Sequence, residues 1–352
     1  MTILVGRSGV LSGRTGQPLR PHQVLERRVK RVLRLVRRLP WVAWRFGTEA
    51  AARSIAQAMG DQNSRACLAP SVVPRPIRGI SEATVPESDA LVIYDWSTAM
   101  AASSLPDRCG KKFYLVQAEE ALLGAPRELA EAAYRLPYCK IVVSSWLKRM
   151  LEERYGQNAE GPLINGVDFE QFHPLEAGDG RWAHVGMIYW SAAYKGSRFG
   201  VQAFELARRE CPDLQMLVFG REFPSTRLPK GARFAFDPPQ NELGAIYSSC
   251  GIWLSPSLIE GGGMPVQEAM ACNCAVVATD VGAVRDFAED GKDILIVPPG
   301  DPQAMAAQIV RLARDRELSD RLSSAAAANI RKYTWDRATH QLEAVLTRHV
   351  AR

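Results

Sequence analysis

The chain has 352 residues, of which 47% are hydrophobic and 23% are charged. This composition is that of a soluble globular protein, and the length suits two domains of ordinary size. No apolar run reaches the roughly 18 residues that a membrane span requires, and residues 1–16 lack the hydrophobic region of a signal peptide. A cytoplasmic location is therefore expected. The net charge of +6 favours anionic ligands or surfaces.

The seven cysteines are scattered, odd in number and without a Cys-x-x-Cys pair, which predicts reduced thiols. Cys272 and Cys274 could form half of a metal site, but no histidine lies near them in the sequence to complete it. We therefore expect neither a metal ion nor a cofactor. The other cysteines are Cys67, Cys109, Cys139, Cys211 and Cys250, and the histidines are His22, His173, His184, His340 and His349.

A basic amphipathic segment occupies residues 23–39, inside an N-terminal extension that we place at residues 1–40. Apolar side chains recur at helical spacing, basic side chains fill the other face, and aromatic residues follow Pro40. Residues 23–46 therefore resemble a segment on an anionic membrane surface, which would make the protein peripheral on the inner face of the cytoplasmic membrane. Three alternatives remain: an apolar face packed on the core, a strand over residues 32–36, and contact with nucleic acid.

Short apolar runs alternate with helical stretches over residues 41–176, which predicts a first α/β domain with a parallel sheet. Gly47 marks a turn, and Thr48 is a candidate N-cap for a helix over residues 49–59. The strand candidates are Trp41 to Phe46, Arg65 to Ala69, Leu91 to Tyr94, Phe113 to Val116 and Ile141 to Ser144.

Polar residues follow three of these strands. Asp95 comes after the third, Gln117, Glu119 and Glu120 follow the fourth, and Ser144 ends the fifth. Ligands bind at the carboxyl ends of the strands in open α/β sheets, so these side chains are candidates for binding a substrate. An alternative for Glu119 and Glu120 is a place at the start of the next helix, where acidic residues are favourable.

A second α/β pattern covers residues 177–334, after a turn at Asn165-Gly166, and a last helix is expected within residues 335–352. The strand candidates of this domain are Trp182 to Met187, Met216 to Gly220, Arg233 to Phe236, Ile252 to Leu254, Ala275 to Ala278 and Ile294 to Val297. Helices are expected at Phe199 to Arg209 and at Glu242 to Ser249, and a further one follows Asp301.

The stretch over residues 251–273 carries the candidate site. A short apolar strand leads into three glycines, whose missing Cβ lets the backbone approach a ligand, and Pro265 suits the first position of a helix. The free N–H groups and the positive dipole end of that helix favour a phosphate. The carboxylates of Glu260 and Glu268 are suited to accept hydrogen bonds from hydroxyls. Together these features predict a nucleotide-sugar site. The glycines are Gly261, Gly262 and Gly263.

This stretch resembles the signature of the retaining GT-B glycosyltransferases of family 4, which reads roughly Glu-Gly-x-Gly-Leu-Pro-x-x-Glu-Ala. Met264 here takes the place of the usual Leu and precedes Pro265. The resemblance covers most of residues 144–336. It implies two Rossmann-like domains that face each other across a cleft, with Glu260 on the hydroxyls of the donor sugar and Glu268 on the ribose.

The resemblance extends to Lys195-Gly196, where the family has the lysine that binds the donor diphosphate. The arginine that the family usually has six residues earlier is Tyr189 here, and Arg221 is our candidate replacement. Lys195 and Arg221 would stabilise charge on the departing diphosphate. By the same resemblance, the loop near Phe236 borders the nucleotide base.

The first domain departs further from the family. Many members have His where Gln117 falls, and the sequence Gln-Ala-Glu-Glu looks like a subset that includes some rhamnosyltransferases. In a GT-B protein this domain binds the acceptor, so the resemblance makes Asp95, Gln117, Glu119 and Glu120 candidate acceptor contacts. It also implies that the last helix crosses back to the first domain.

The sequence thus predicts a retaining, metal-independent glycosyltransferase of glycan, glycolipid or cell-surface polysaccharide biosynthesis, which moves a sugar from a nucleotide-diphosphate donor to a hydroxyl acceptor. Glu260, Lys195 and Arg221 form the predicted catalytic set, with the leaving diphosphate helping to take the acceptor proton and Glu260 easing charge on an oxocarbenium-like transition state. Two alternatives remain open. One is a non-catalytic scaffold of this fold that binds sugar nucleotides, and the other is transfer to a nucleic-acid acceptor.

Overall fold

The computed structural model describes the backbone of residues 2–3 and, with side chains, residues 79–176 and 178–351. The predicted basic helix at residues 23–39, the strands at 41–46 and 65–69, and the helix at 49–59 lie outside the described residues. The other predicted strands fall within them and can be compared directly.

The first sheet has five parallel strands in the order β1-β2-β3-β4-β5. Its strands are nearly continuous apolar runs, as expected where helices cover both faces. The strands are β1 (Thr2–Ile3), β2 (Ala90–Ile93), β3 (Lys111–Val116), β4 (Cys139–Val142) and β5 (Ala159–Glu160), and the helices between them are α1 (Trp96–Ala102), α2 (Arg127–Arg135) and α3 (Ser145–Tyr155).

The second sheet has six parallel strands in the order β11-β10-β9-β6-β7-β8. Its strands are β6 (His184–Ile188), β7 (Gln215–Gly220), β8 (Arg233–Phe236), β9 (Ile252–Ser255), β10 (Ala275–Thr279) and β11 (Leu295–Val297). Its helices are α4 (Ser197–Glu210), α5 (Leu243–Ser248), α6 (Met264–Ala271), α7 (Val284–Phe287), α8 (Pro302–Arg314) and α9 (Arg316–Ile330).

The core of the second sheet surrounds Trp253, which is 1% exposed on the central strand β9. Gly186 on the neighbouring strand β6 lies directly under this indole, since a Cβ there would come within 2.4 Å of ring atoms. The strand predicted at residues 182–187 starts two residues too early. Residues 179–183 form a 3₁₀ helix, in which the N–H of Arg181 donates to the carbonyl of Gly178 at 3.0 Å.

The last helix, α10 (Trp335–Val350), packs on the first sheet although it follows the second sheet in the chain. Val345 and Leu346 of this helix lie in one buried cluster with Val92, Phe113 and Ile141. The opposite face of the sheet packs against α1, α2 and α3. The predicted fold class, an α/β protein with two parallel sheets, is confirmed.

Candidate active site

The turn between β9 and α6 contains the three glycines. A Cβ on Gly261 would lie 1.7 Å from the carbonyl oxygen of Gln117, and one on Gly262 would lie 2.5 Å from Nδ2 of Asn165. Both partners belong to the loops that follow β3 and β5. These two glycines are therefore required for the close approach of the second sheet's turn to the first domain, a role in addition to the ligand contact that we predict.

Gly263 has a different role, because its φ of 69° lies in the left-handed region that glycine adopts without strain. It is the N-cap of α6, with Pro265 in the first turn of the helix. Met264, the departure from the family signature, is 38% exposed at the first helical position. The helix thus begins beside the glycines as predicted, one residue before Pro265, which we expected at the first helical position.

Glu260 directly precedes the three glycines, and Lys195 lies beside it. Lys195 Nζ lies 2.6 Å from Glu260 Oε1, and Ser257 Oγ donates to the same oxygen at 2.9 Å. The side chains of Lys195 and Glu260 are 22% and 14% exposed. The structure therefore brings these two predicted residues into one ion pair that solvent still reaches.

The position of Lys195 follows from the turn after β6. Gly196 has φ 64° and begins α4, and a Cβ on it would lie 1.9 Å from the carbonyl oxygen of Pro256. This contact holds the Lys195 turn against the segment that leads to Glu260. The Lys195-Gly196 pair was predicted from the family resemblance. In the structure, Gly196 permits the close approach to Pro256, and Lys195 pairs with Glu260.

Glu268 lies inside α6 and is more enclosed. Its Oε2 accepts a hydrogen bond of 2.7 Å from the hydroxyl of Tyr247 on α5. Burial raises the pKa of Glu268 above its ordinary value. Tyr247 was not predicted from the sequence, and its hydroxyl fixes the orientation of this carboxylate.

Arg221 follows β7 and forms its ion pair with Asp237, with 3.1 Å between Nε and Oδ1, while 67% of its side chain is exposed. It takes no part in the hydrogen bonds that join Lys195, Glu260 and Ser257. Phe236, the predicted neighbour of the base, stacks on Phe223 with ring centroids 4.3 Å apart and 11° between the ring planes.

Tyr189, which stands where the family usually has arginine, has a structural contact of its own. It is 2% exposed, and its hydroxyl accepts hydrogen bonds from the backbone N–H groups of Ser225 and Thr226 at 3.0 and 3.3 Å. It therefore anchors the loop that begins with Arg221. The sequence alone gave no sign of this contact.

Three of the four candidate acceptor residues, Asp95, Glu119 and Glu120, have partners inside the first domain. Asp95 is the N-cap of α1 and accepts from the N–H of Thr98 at 2.9 Å and from Ser97 Oγ at 2.5 Å. Glu119 is 4% exposed and pairs with Arg154 Nη1 at 2.6 Å. Capping and ion pairing thus use the carboxylates of these two residues, and their role as acceptor contacts stays a prediction.

Glu120 is partly buried beside them. It accepts hydrogen bonds from the hydroxyl of Tyr114 at 2.5 Å and from the N–H of Trp96 at 3.1 Å. Burial is the main cause that raises its pKa to about 7. Gln117 is exposed, so it is the candidate whose side chain solvent reaches most readily.

Further contacts join the two sheets beside the glycine turn. Asp286 Oδ2 accepts a hydrogen bond of 2.8 Å from the backbone N–H of Ser145, the first residue of α3. Gln267 Nε2 donates to the carbonyl of Asn165 at 3.2 Å. Asn165 and Gln267 were not predicted as site residues, since their importance depends on partners about a hundred residues away in the chain.

Metal ligation has no candidate within residues 79–176 and 178–351, where no group of three His, Cys, Asp or Glu side chains could hold an ion. Cys272 and Cys274 are buried free thiols, and burial raises the pKa of Cys272 to about 12. In the same part of the chain, no helix is long and apolar enough to cross a membrane.

Part of the second domain is similar to a known family. Residues 180–315 match the family model described as glycosyl transferases group 1. The chain is 29% identical over 216 residues to a phosphatidyl-myo-inositol mannosyltransferase of Mycobacterium leprae, covering 58% of this chain and 57% of that protein. It is 35% identical over 105 residues to a D-inositol 3-phosphate glycosyltransferase of Streptomyces bingchenggensis, covering 29% and 23%. The chain thus spans less than two thirds of these relatives.

Solved structures share the fold. Sucrose-phosphate synthase from Thermosynechococcus elongatus has a TM-score of 0.63 at 18% identity, covering 75% of this chain and 74% of that one. TarM has a TM-score of 0.63 at 16% identity, covering 74% and 56%. These similarities establish the GT-B architecture, two α/β domains that each contain a parallel sheet. The sequence had predicted this architecture.

Proposed function

We propose, from the premise that residues 180–315 belong to the glycosyl transferases group 1 family, that this protein is a retaining glycosyltransferase. It moves a sugar from a nucleotide-diphosphate donor to a hydroxyl of an acceptor. The observation that carries the proposal is the Lys195–Glu260 pair of 2.6 Å beside the start of α6. A cation and a carboxylate beside the positive end of a helix dipole match the parts of a sugar diphosphate.

The roles of the three site residues follow from their chemistry. Lys195 binds the diphosphate and stabilises its growing charge as the bond to the sugar breaks. Glu260 turns to the sugar hydroxyls once the diphosphate takes over the ammonium of Lys195. Glu268, held by Tyr247, accepts hydrogen bonds from the ribose.

The reaction breaks the bond between the anomeric carbon and the diphosphate oxygen and forms a bond from that carbon to the acceptor oxygen. The acceptor's proton leaves with the diphosphate, so no dedicated base is required. Arg221 provides a second cation for the diphosphate after its exposed pair with Asp237 opens, since exposed pairs contribute little stability. These steps need no metal ion.

The acceptor is a hydroxyl of a glycan or of a lipid-linked molecule at a membrane surface. Support for this class comes from the relative of Mycobacterium leprae, whose name gives a phosphatidyl-inositol acceptor. Gln117 is the acceptor contact that we favour, because its side chain is exposed, whereas the carboxylates of Asp95, Glu119 and Glu120 are held by other partners. Rhamnose as the transferred sugar is a narrower form of this proposal, carried only by the Gln-Ala-Glu-Glu sequence.

A thermal-shift screen over UDP-, GDP-, ADP- and dTDP-sugars tests donor binding, because a ligand that binds only the folded state raises the melting temperature. A solved relative in complex with UDP-glucose makes UDP-sugars the first choice. Turnover is then measured with the selected donor in radiolabelled form, with hydrolysis as the readout when the acceptor is unknown. If none of these nucleotide sugars raises the melting temperature, the proposal is wrong.

A second candidate is a scaffold that binds sugar nucleotides without turnover. It is favoured by Tyr189, whose hydroxyl holds backbone N–H groups of the following loop where the family usually has a cation for the diphosphate. Donor binding with neither hydrolysis nor transfer on any acceptor tested would select the scaffold over the enzyme.

A further inference from the structure

A basic groove lies on the exposed side of α4, where the helix faces the segment 226–230 that leads into β8. Its volume is about 510 Å³, within the range of sites that bind small organic molecules. None of its lining residues belongs to the Lys195–Glu260 pair or to the turn before α6. The groove is therefore separate from the candidate active site.

Four cations and one acid line this groove. Arg198 and Arg208 come from α4, Arg227 and Lys230 come from the facing segment, and Glu205 is the acid. The ion pairs found within residues 79–176 and 178–351 leave these four cations without a carboxylate partner. The groove thus concentrates positive charge that the described part of the chain does not neutralise.

The guanidinium groups of Arg208 and Arg198 have contacts within the protein. Arg208 Nη1 donates to the carbonyl of Lys230 at 2.7 Å, which ties the end of α4 to the facing segment. The guanidinium of Arg198 lies 4.5 Å from the centre of the Phe199 ring. Ten residues of helix separate Arg198 from Arg208, about 15 Å along the axis. The groove therefore carries positive charge along about three turns of α4.

The loop that carries Arg227 is fixed by Tyr189. The Tyr189 hydroxyl accepts hydrogen bonds from the N–H groups of Ser225 and Thr226, directly before the groove residues. A buried tyrosine thus supports the wall of this groove from within the domain. A backbone segment that is held in this way loses less conformational freedom when a ligand binds, which favours affinity.

We propose that this groove binds a phosphate-bearing anion. Guanidinium groups pair with phosphate oxygens through two parallel hydrogen bonds, and arginine is the side chain best suited to phosphate recognition. Pro229 and Leu228 on the wall supply apolar contact for the organic part of the ligand. Two sources share this chemistry, the headgroup of an anionic phospholipid and a free phosphate compound.

The test uses the full-length protein and a triple variant, Arg198→Gln, Arg227→Gln and Lys230→Gln. Arg208 is left unchanged because it holds the Lys230 carbonyl. A matched triple variant, Arg149→Gln, Arg321→Gln and Arg331→Gln, removes the same charge from exposed positions on α3 and at α9. Circular dichroism and melting temperature verify that all three proteins are folded.

In one arm, inorganic pyrophosphate is titrated calorimetrically into each protein, all carrying Lys195→Met to silence the proposed donor site. In the other, the proteins without Lys195→Met are mixed with phosphatidylcholine vesicles that contain phosphatidylglycerol, and the bound fraction is measured by flotation. A basic residue at an anionic surface is worth about 1 kcal/mol, or about fivefold in binding. The groove variant should therefore lose at least tenfold in one arm, and the matched variant should lose less than threefold.

Loss of pyrophosphate binding alone identifies a free phosphate ligand, and loss of vesicle binding alone identifies a lipid headgroup. Loss in both arms supports the groove with either source. Equal binding by the groove variant and the matched variant in both arms overturns the proposal. Because the groove residues are absent from the donor site, failure here leaves the proposed transferase activity untouched.

Discussion

The Asp286 carboxylate of the second domain accepts a hydrogen bond from the Ser145 N–H at the start of α3 in the first domain, at 2.8 Å. An acid at this position is favourable both as a capping group and because of the helix dipole. Here the cap comes from 141 residues further along the chain. Stability of a first-domain helix therefore depends on a residue of the second domain.

Replacement of this cap should destabilise the protein. We expect Asp286→Ala to lower the free energy of unfolding by about 1–2 kcal/mol, the usual cost of losing an N-cap. Asp286→Asn, which keeps an acceptor oxygen, should lose less. Urea unfolding followed by circular dichroism measures this, with exposed Asp213→Ala as the control. An unchanged midpoint for Asp286→Ala would show that the contact contributes nothing.

Gly261 should tolerate no side chain. A Cβ there would lie 1.7 Å from the Gln117 carbonyl oxygen, so Gly261→Ala must push the two loops apart. Overpacking of this kind typically costs about 1–3 kcal/mol, and we expect sugar transfer to fall at least tenfold. Gly180→Ala is the matched control, because nothing lies within 4 Å of its added methyl. Equal loss in both variants would remove the packing argument.

The two glutamates of the site should separate binding from chemistry. Glu268→Ala should weaken binding of the donor nucleotide, because its carboxylate is positioned by Tyr247 for the ribose. Glu260→Ala should mainly slow transfer, by about 10²–10³-fold, the usual effect of losing a group that stabilises transition-state charge. Nucleotide affinity by calorimetry and turnover at saturating donor give the two quantities. Parental values for both variants would defeat the assignment.

Glu120 should make stability depend on pH. Its pKa is raised to about 7 from 4.5, chiefly by burial, so between these values the folded protein binds more protons than the unfolded chain. Stability contributed by this group therefore falls as pH rises from about 4.5 to 7. The free energy of unfolding of Glu120→Gln minus that of the parent should therefore be larger at pH 8 than at pH 5.

Chemical denaturation at these two pH values measures the difference. Comparison with the parent removes the pH dependence that the other buried acids contribute to both proteins. The exposed residue Glu128 provides the control substitution Glu128→Gln. The expected gain is up to about 3 kcal/mol, since one pKa unit corresponds to about 1.4 kcal/mol. The same difference from the parent at both pH values would contradict the burial of an ionisable Glu120.

The positions of most described strands could be predicted from the sequence because buried parallel strands are apolar runs bounded by turn residues. The two-residue strands β1 and β5 were not predicted. Arg233–Phe236 matches its prediction fully. The start of α6 could be predicted for a similar reason, since glycine and proline restrict the local backbone. The assignment of Lys195 to the donor diphosphate came from the family resemblance, and the structure adds its ion pair with Glu260.

The partners of the polar side chains could not be predicted in this way. Glu119 looks available in the sequence, yet it pairs with Arg154, 35 residues later. Asp95 looks like a ligand at a strand end, yet it caps the helix that follows. Both types of residue serve ligands or local structure equally well, so only the packed neighbours decide. The capping use of Asp95 is local and could have been anticipated from Thr98 three residues on.

The return of α10 to the first sheet has a consequence for biosynthesis. Strands β2, β3 and β4 are translated early, but the side chains of Val345 and Leu346 that cover one of their faces emerge only after the second domain. Until α10 packs, the face of the sheet that it covers, including Val92 and Phe113, is accessible to water or to a chaperone. The first domain is thus synthesised first, but its packing is completed only after the second domain has been made.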